Sequence, residues 1–358
     1  MDSKQFKEEL KSCKDKVDLE VMKLFLEKKK QTTMIKEYEL LERFVINGGK
    51  RLRPLIMLKA YEGYGGKKNI IRESLSIELL HNSTLVEDDV MDEDEIRRNE
   101  PTIYKIFKDK FLRLKKEKKY NGSLFNRESS RHAVSNSMIL GNILYSLGFD
   151  CIIKSKENKD KVNECIKRFN ESFIRVNEGQ FYDLAYENKK QVLEEEYIQM
   201  VEYKSSYIVR IAAEIGGVLA GAKKEHIDAL SKFLKDIIVS FQIRDDLMDI
   251  DESLSKGHEV GSDIKQGKRT LLVIKALEMG NLRERKKILT ALGKENATKK
   301  QVKTAIEALY YSGAVQYCQD YSEQRIFNAK KILEKTGLNK DSKEFFSILA
   351  DYMISRTI

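Results

Sequence analysis

The chain has 358 residues, a formal net charge of +9 at pH 7 and only two prolines. A fold of this length buries roughly 75% of the surface that its unfolded chain exposes, so it does not need disulfides or a structural metal to be stable. The four cysteines show no CxxC pairing and no histidines at metal spacing, so the sequence indicates neither a zinc site nor a disulfide framework and predicts reduced, structural thiols. The positive charge suits nucleic acid, a membrane surface or small polyanionic substrates, and it does not choose among them.

The N-terminal segment MDSKQFKEELKSCKDKVDLE has no apolar core of a signal peptide and too many acids for a transit peptide. No apolar run approaches the roughly 18 to 20 residues needed to span a bilayer. We therefore expect a soluble, cytoplasmic protein, and a peripheral contact with a membrane stays open.

Apolar residues recur at helical spacing along most of the chain, beginning with Val21, Leu24 and Phe25. The segment VINGGKRLRP then breaks the pattern, and its two glycines and Pro54 predict a loop followed by the start of a helix. Long stretches rich in Leu, Ile, Glu and Lys follow without a helix breaker, and convincing alternating strands are absent. The pattern predicts a predominantly α-helical protein.

A strongly basic stretch, KIFKDKFLRLKKEKKYNGSLFNRESSRH, begins at Lys105 and turns to Asn, Gly and Ser. It predicts an exposed connection with a partly helical start, either a solvated run of charge or a contact with lipid or a partner. No repeat, heptad array or low-complexity linker marks a boundary. We therefore expect one helical domain over residues 1–358 with a basic surface insertion at about 105–134.

Two acidic boxes, DDVMD from Asp88 and DDLMD from Asp245, stand at the ends of apolar segments. On a helix, residues four apart share a face, so Asp88 lies beside Asp92 and Asp245 beside Asp249. Like charges in this arrangement destabilise an isolated helix. Something must therefore compensate both boxes.

Three explanations compete for the boxes. A calcium-binding EF-hand loop fails, because Arg97 and Leu254 stand where its glycine is required. A solvated acidic face explains one box in a chain with 57 acidic residues, but less readily two boxes at the ends of apolar helices. Magnesium is usually held by a few carboxylates plus substrate phosphates, and Arg and Lys can supply further hydrogen bonds to phosphate. The boxes therefore predict a site for a divalent metal and a diphosphate.

The sequence closely resembles the trans-isoprenyl diphosphate synthases, which make farnesyl, geranylgeranyl and longer polyprenyl diphosphates. The resemblance runs from about residue 45 to the C-terminus through six ordered motifs: GGKRLRP, ELLHNSTLVEDDVMDEDEIRR, EGQFYDL, KSSYIVRIAAEIGG, FQIRDDLMD and GSDIKQGKRTLLVIKAL. It implies an all-α bundle around a deep central cavity, with isopentenyl diphosphate and an allylic diphosphate as substrates. It also implies about three Mg²⁺ ions in each active site. Dimerisation is typical of the family, so a homodimer is expected.

Motif positions carry the family's metal and diphosphate roles over to this chain. The metal ligands implied are Asp88, Asp92 and Asp245. The residues implied to support them are Asp89, Asp246, Asp249, Gln180 and Asp183. The contacts implied to the allylic diphosphate are Arg97, Lys204 and Lys268.

The second substrate and the reacting carbon have their own implied residues. The pocket for isopentenyl diphosphate is implied at Gly49, Lys50, Arg53, His81 and Arg98. The positions that face the allylic carbocation are implied at Ser205 and Gln242. With Asp89 and the metal and allylic-diphosphate residues, Gln242 completes the expected catalytic set.

Two departures from the family pattern stand out. Asn99 follows the paired arginines where the family commonly has glycine. The lysine usually found shortly before the GSD turn is replaced around His258 and Glu259, with Lys256 close by as a substitute. One diphosphate contact is thereby in doubt.

The residues before the first box predict the length of the product. Thr84 and Ser83 stand four and five residues before Asp88, one turn down the helix toward the hydrocarbon tail. Short farnesyl synthases of the family have bulky aromatics there, so small side chains predict geranylgeranyl diphosphate or a longer product. Leu80, or a side chain of another helix, could still close the pocket and give farnesyl diphosphate.

Other functions fit the motifs less well. A terpene cyclase usually lacks the second DDxxD box and the GGKRLRP loop, and a noncatalytic subunit is expected to lose aspartates. No helix-turn-helix, zinc-finger or RNP-like motif suggests nucleic acid as a partner.

Overall fold

Helices form almost all of the regular structure in a computed structural model that describes residues 3–187, 189–251, 260–294 and 296–354. Its first helices are α1 (Ser3–Lys29), α2 (Ile35–Ile46), α3 (Leu52–Gly63), α4 (Ile71–Met91), α5 (Ile103–Leu114), α6 (Glu128–Ile153) and α7 (Lys159–Glu187). Two-residue strands, β1 (Ile96–Arg97) and β2 (Glu100–Pro101), pair antiparallel between α4 and α5. The all-α prediction is confirmed.

The later helices are shorter on average. They are α8 (Glu194–Val201), a π-helical turn (Glu202–Ser206), α9 (Tyr207–Ala220), α10 (Lys224–Asp249), α11 (Ser262–Gln266), α12 (Leu271–Met279), α13 (Leu282–Leu289), α14 (Lys299–Tyr311), α15 (Ala314–Leu333) and α16 (Lys340–Ile354). The substitute lysine expected at position 256, with His258 and Glu259, lies outside the described residues.

Contacts divide the described chain into two compact units. The N-terminal unit comprises residues 3–59 and 66–169, and the C-terminal unit comprises residues 60–65 and the described residues from 170 to 354. The expectation of one domain over residues 1–358 stays a prediction.

The N-terminal unit is organised around α4. Eleven of the 21 residues of this helix are buried, and it packs against α1, α5 and α6. A Cβ on Gly148 of α6 would lie 2.7 Å from the carbonyl oxygen of Ser76, so the glycine permits close approach of the two helices. The site residues at the end of α4 are therefore held by a rigid, buried helix.

A buried ion cluster fixes the turn between α2 and α3. Arg51 is fully buried; its Nε lies 2.7 Å from Oδ1 of Asp18, and its Nη1 lies 2.8 Å from Oε1 of Glu78. Its Nη2 also donates to the carbonyls of Val45 and Ile46 at 2.5 and 3.1 Å. The guanidinium thus ties the glycine-rich turn to α1, to α4 and to the end of α2.

The C-terminal unit has its core between α10, α12, α14 and α15. Val239, Ile243, Leu271, Leu309 and Cys318 are among the side chains buried there. The core leaves the last turn of α10, which carries the second acidic box, beside α8 and α11.

All four cysteines lie in the described part of the chain, where each is buried and takes part in no disulfide. Among the described helices, α6 is long and apolar enough to cross a membrane. A core helix passes the same test, and α6 packs against α4 and α5. It is not a continuous apolar run, because Asn142 and Ser146 interrupt it.

Replacing Arg51 with methionine should leave Asp18 and Glu78 buried without their shared counter-ion. Breaking a buried ion pair in this way costs about 3–5 kcal/mol of unfolding free energy. The matched control is Arg43→Met, which removes an exposed pair with Glu100 at 3.4 Å and should cost no more than about 1 kcal/mol. Urea unfolding measures both, and equal losses would contradict a structural role for Arg51.

Candidate active site

The glycine-rich turn between α2 and α3 receives the side chain of Arg98. Gly48 and Gly49 both have φ of +79°, a conformation that glycine adopts without strain. A Cβ on Gly48 would lie 2.6 Å from Cδ of Arg98, and one on Gly49 would lie 3.5 Å from its Nη2. Nη1 of Arg98 donates to the carbonyl of Asn47 at 3.1 Å. The two glycines therefore let the guanidinium rest directly on the turn, whose next residue is the exposed Lys50.

Three arginines surround His81 on α4. Burial lowers the pKa of Arg53 to about 10, and it also lowers the pKa of Arg98. Burial, and then the charges of Arg53, Arg98 and Arg97, hold the pKa of His81 well below its ordinary value, so the imidazole is neutral. Nε of Arg53 is buried and finds no hydrogen-bond partner among the described residues. The neutral imidazole of His81 can donate a hydrogen bond, and the arginines near it carry positive charge. Together they suit a polyanionic ligand such as a diphosphate.

The first acidic box is held by its own arginine. Nε of Arg97 pairs with Oδ1 of the buried Asp89, and its Nη2 lies 3.3 Å from Oδ2 of Asp88. Burial raises the pKa of Asp89 to about 6 even though Arg97 opposes the shift. Asp92 follows the last turn of α4, where its N–H donates to the carbonyl of Asp88 at 2.9 Å. Asp88 and Asp92 are thus stacked as the spacing predicts.

The hairpin of β1 and β2 explains the asparagine found in place of the family's glycine. Arg98 and Asn99 form its two-residue loop, with φ of +53° and +62°. Such a loop requires positive φ at both central residues, and Asn tolerates this conformation better than most residues other than glycine. Asn99 therefore keeps the turn that presents Arg97 and Arg98.

The second acidic box is built around a buried Asp246. Tyr197 of α8 donates to Oδ2 of Asp246 at 2.6 Å, and Nε2 of Gln242 donates to Oδ1 at 3.1 Å. Burial, and next the charge of Asp263, raise the pKa of Asp246 well above its usual value. Ser205 donates to Oε1 of Gln242 at 3.4 Å. These bonds fix the amide of Gln242 between the serine and the carboxyl group.

Asp249, at the end of α10, holds the GSD turn. Its Oδ1 accepts from the hydroxyl and the N–H of Ser262 at 2.7 and 3.2 Å, and its Oδ2 accepts from the N–H of Asp263 at 3.3 Å. Burial, and then the charge of Asp249, raise the pKa of Asp263 to about 7. Asp245 is the exposed member of the box. A crowded set of carboxylates therefore lies at this end of α10.

Two lysines converge on Asp183 of the EGQFYDL motif. Nζ of Lys204 lies 2.7 Å and Nζ of Lys268 lies 3.4 Å from Oδ2 of Asp183. Burial opposes the charge of Asp183, but both lysines outweigh it and lower its pKa. Lys268 also contacts Glu187 at 2.8 Å. Asp183 and the two lysines line a cavity of about 160 Å³, and its other polar lining residues include Ser205, Gln242, Asp246, Asp263, Arg269 and Thr270.

A π-helical turn carries Lys204 and Ser205. It packs against α7 at Gly179, where an added Cβ would lie 2.3 Å from the backbone N of Lys204 and 2.7 Å from its Cα. Single π-turns inside helices are frequently found at functional sites. Here the turn sets the direction of Lys204, and Gly179 gives it room.

The carboxylates of both boxes have the chemistry of a site for a hard divalent cation. The pKa values of Asp89, Asp246, Asp249 and Asp263 are raised, which means that their charged forms are disfavoured. A bound cation would stabilise those charged forms. Within the described ranges, no group of three His, Cys, Asp or Glu side chains is arranged to hold a metal by itself. Magnesium sites often take the remaining ligands from water and substrate phosphates, so the donor set fits.

The chain-length residues lie on the buried part of α4. Leu80 and Ser83 are fully buried, and Ser83 donates to the carbonyl of Leu80 at 2.8 Å. Thr84 is half-buried and donates to the carbonyl of His81 at 2.9 Å. Gly141 of α6 lies close to Ser83, because its Cβ would stand 3.5 Å from the carbonyl oxygen of Ser83. Their influence on product length stays a prediction.

The predicted site residues fall into two sets, one in each unit. The N-terminal unit gathers Gly49, Lys50, Arg53, His81, Asp88, Asp89, Asp92, Arg97 and Arg98. The C-terminal unit gathers Gln180, Asp183, Lys204, Ser205, Gln242, Asp245, Asp246, Asp249 and Lys268. Each residue's role stays a prediction.

Sequence reasoning missed three residues of these sets. Asp263 follows directly on the Gly and Ser of the GSD motif, which could have identified it. Gly179 stands in the EGQFYDL motif, but nothing in one sequence shows that it faces a backbone. Tyr197 looks like an ordinary core aromatic, and only its bond to Asp246 distinguishes it.

The sequence model of the family described as Polyprenyl synthetase matches residues 36–309, which is more than half of the chain. The chain belongs to the polyprenyl synthetase family. This family uses isoprenyl diphosphate substrates and a divalent metal.

Similar proteins agree with this membership. A geranylgeranyl diphosphate synthase of Methanosarcina mazei is 32% identical over 321 residues, 88% of each chain. A short chain isoprenyl diphosphate synthase of Methanothermobacter thermautotrophicus is 30% identical over 317 residues, 88% of this chain and 89% of the relative. A solved geranylgeranyl pyrophosphate synthetase of Geoglobus acetivorans is 30% identical with a TM-score of 0.80, covering 97% of this chain and 99% of its own.

Changing Gly179 to alanine in this polyprenyl synthetase should displace the π-helical turn, because the new Cβ would overlap the backbone of Lys204. We expect activity to fall by about tenfold to a hundredfold, since small misplacement of a positioning residue has that effect. The control is Gly141→Ala in α6, where the nearest atoms would lie at an ordinary 3.4 Å. Steady-state prenyl transfer and circular dichroism of both variants test this; equal activities would contradict it.

His81 should make unfolding depend on pH. Its native pKa lies well below 6.5 and its unfolded pKa lies near 6.5, so below pH 6.5 the unfolded chain binds the extra proton. The contribution of neutral His81 is fully present above that pH and is lost as pH falls, by roughly 1 kcal/mol per pH unit. Urea midpoints between about pH 7.5 and pH 5.5 should therefore decline more steeply for the wild type than for His81→Asn. Parallel curves would show that His81 titrates normally.

Proposed function

We propose that the protein is an isoprenyl diphosphate synthase that condenses isopentenyl diphosphate with allylic diphosphates, and that its product is geranylgeranyl diphosphate or longer. One observation carries the proposal most directly: buried carboxylates of raised pKa end α4 and α10, each beside cations suited to phosphate. The similarity to relatives named geranylgeranyl diphosphate synthase supports the class of product.

The metal of the proposal is Mg²⁺, about three ions, as the family resemblance implies. Asp88, Asp92 and Asp245 would hold it, and when bound it neutralises charge on the diphosphate that leaves. Asp89 and Asp246 would fix the ligand helices, Asp89 through Arg97 and Asp246 through Tyr197.

The cations of the chain act on the diphosphate itself. As the allylic C–O bond breaks, negative charge grows on the leaving oxygens, and preorganised donors stabilise that state more than the ground state. Arg97, Lys204 and Lys268 take this role in the proposal. Asp183 contacts both lysines, so it orients them.

The neutral His81 and its arginines position the second substrate. Arg53, Arg98 and Lys50 would bind the diphosphate of isopentenyl diphosphate. His81 can donate a hydrogen bond to it without adding a fourth positive charge, because its imidazole is neutral. The double bond of isopentenyl diphosphate then attacks the allylic cation, a C–C bond forms, and a proton is lost to the departing diphosphate. Gln242, held by Ser205 and Asp246, presents its amide dipole to the cation.

Incubation with magnesium, farnesyl diphosphate and labelled isopentenyl diphosphate tests the function. We expect incorporation of label into a longer diphosphate, and Asp88→Asn and Asp245→Asn should each reduce the rate by about a hundredfold or more. A terpene cyclase would release diphosphate without incorporating label, and a noncatalytic subunit would do neither. Either of those results would overturn the proposal.

The state of assembly in the proposal is a homodimer, which rests on the family resemblance alone. Sedimentation equilibrium of the purified chain would decide between monomer and dimer.

Product length should respond to bulk at Ser83 and Thr84. Phenylalanine at both positions places two rings one turn below Asp88, which should shorten the pocket and shift products toward farnesyl diphosphate. Ser146→Phe, on the exposed face of α6, is the matched control and should leave the product unchanged. Chromatography of dephosphorylated products measures the distribution. An unchanged distribution in the double variant would place the floor of the pocket elsewhere.

A further inference from the structure

The positive charge of the chain is concentrated in one place. Residues 105–131 contain ten basic and three acidic side chains, a net charge of +7 in a chain whose total is +9. The catalytic chemistry proposed above uses none of these residues. The segment therefore calls for a separate explanation.

Part of this segment projects from the N-terminal unit as a paired loop. Lys119 and Arg127 form an antiparallel bridge, the N–H of Tyr120 donates to the carbonyl of Asn126 at 2.9 Å, and the N–H of Glu128 donates to Lys118 at 3.1 Å. We name residues 112–127 the basic finger: the exposed end of α5 followed by this loop. Its backbone is ordered by these bonds, so its side chains are presented on a defined support.

Two of the three acids inside the segment have partners other than the lysines of the basic finger. Glu117 is turned toward α6, where it accepts from the hydroxyl of Ser129 and, at 3.3 Å, from its N–H. Asp109 pairs with Lys105 at 3.2 Å, before the finger begins. Residues 112–119 are all exposed, and they include four lysines and one arginine. The finger therefore presents concentrated positive charge to its surroundings.

The basic finger also exposes aliphatic side chains. Leu124, in the loop that the Tyr120–Asn126 bond closes, is 83% exposed, and Leu114, at the end of α5, is 75% exposed. Exposed leucines beside lysines gain from entering the boundary between lipid headgroups and acyl chains, where the charges meet anionic lipid. A purely solvated run of charge gives the leucines no such role.

The aromatic residues of the finger argue against single-stranded nucleic acid, which is bound by stacking on aromatic faces. The guanidinium of Arg131 covers the ring of Tyr120 at 4.9 Å. The ring of Phe111, just before the finger, lies 5.5 Å from the ammonium group of Lys115 and also packs against His132. The rings of Tyr120 and Phe111 are therefore engaged within the protein, and the large apolar side chains most exposed in the finger are Leu114 and Leu124.

We propose that the basic finger docks this protein on membranes that contain anionic lipids, with its lysines at the headgroups and Leu114 and Leu124 in the interface. This docking is independent of the proposed catalytic function. It concerns residues that the family motifs do not include.

Vesicle sedimentation of the full chain tests the docking. We expect binding to phosphatidylcholine vesicles that contain phosphatidylserine, little binding to phosphatidylcholine alone, and weaker binding as salt screens the charges. Replacing Lys116, Lys118 and Lys119 with glutamine should weaken binding by about a hundredfold, because each basic residue near an anionic surface contributes about fivefold. Leu114→Ser with Leu124→Ser should weaken binding and leave its salt dependence in place.

The matched control exchanges three lysines of α14, at positions 299, 300 and 303, for glutamine; it removes the same charge elsewhere and should bind vesicles like the wild type. Circular dichroism and prenyl transfer with soluble substrates should be unchanged in every variant. Equal losses in the finger and α14 variants would show a general charge effect and overturn the proposal. Absence of vesicle binding, or finger-dependent binding to RNA alone, would also overturn it.

Discussion

Crowded carboxylates at the end of α4 in one unit and of α10 in the other are the constraint on which both sets of site residues depend. Desolvation and repulsion from neighbouring carboxylates raise the pKa of Asp89 to about 6 and that of Asp263 to about 7, so their charged forms are less favourable in the protein than in water. Each unit offsets this repulsion with its own cations: Arg97 in one, Lys204 and Lys268 in the other. Buried carboxylates of this kind lower the stability of the fold, and such residues are expected where the side chains serve a function and not the stability of the fold.

Residues with no proposed catalytic role help to position the charged side chains of the site residues. Gly48 leaves room for Arg98, and Gly179 leaves room for the backbone of Lys204. Arg51 holds the glycine-rich turn through Asp18 of α1. The family match begins at residue 36, so a helix outside it supplies a partner to one of the family's motifs.

The net charge of the chain has two unrelated parts. The charges of the arginines near His81 lower the pKa of that histidine, so they act within the N-terminal unit. The lysines of the basic finger are exposed on an ordered loop and face outward. Composition gives only their sum, which explains why the charge of +9 could not indicate a partner.

The sequence by itself determined the helical fold, the family and the two acidic boxes, because helical periodicity and contiguous motifs are local properties that a single chain displays. The period of a helix was enough to predict that Asp88 and Asp92 share a face. The conformational preferences of glycine and proline were enough to predict the loop at GGKRLRP. Only the tertiary structure decided that Arg51 is a buried structural cation while Arg53, two residues later, faces His81. It also decided that Tyr197 holds Asp246 and that Gly179 accommodates a π-helical turn. Those contacts join residues far apart in the chain, and their energies depend on burial and distance, which one sequence does not contain.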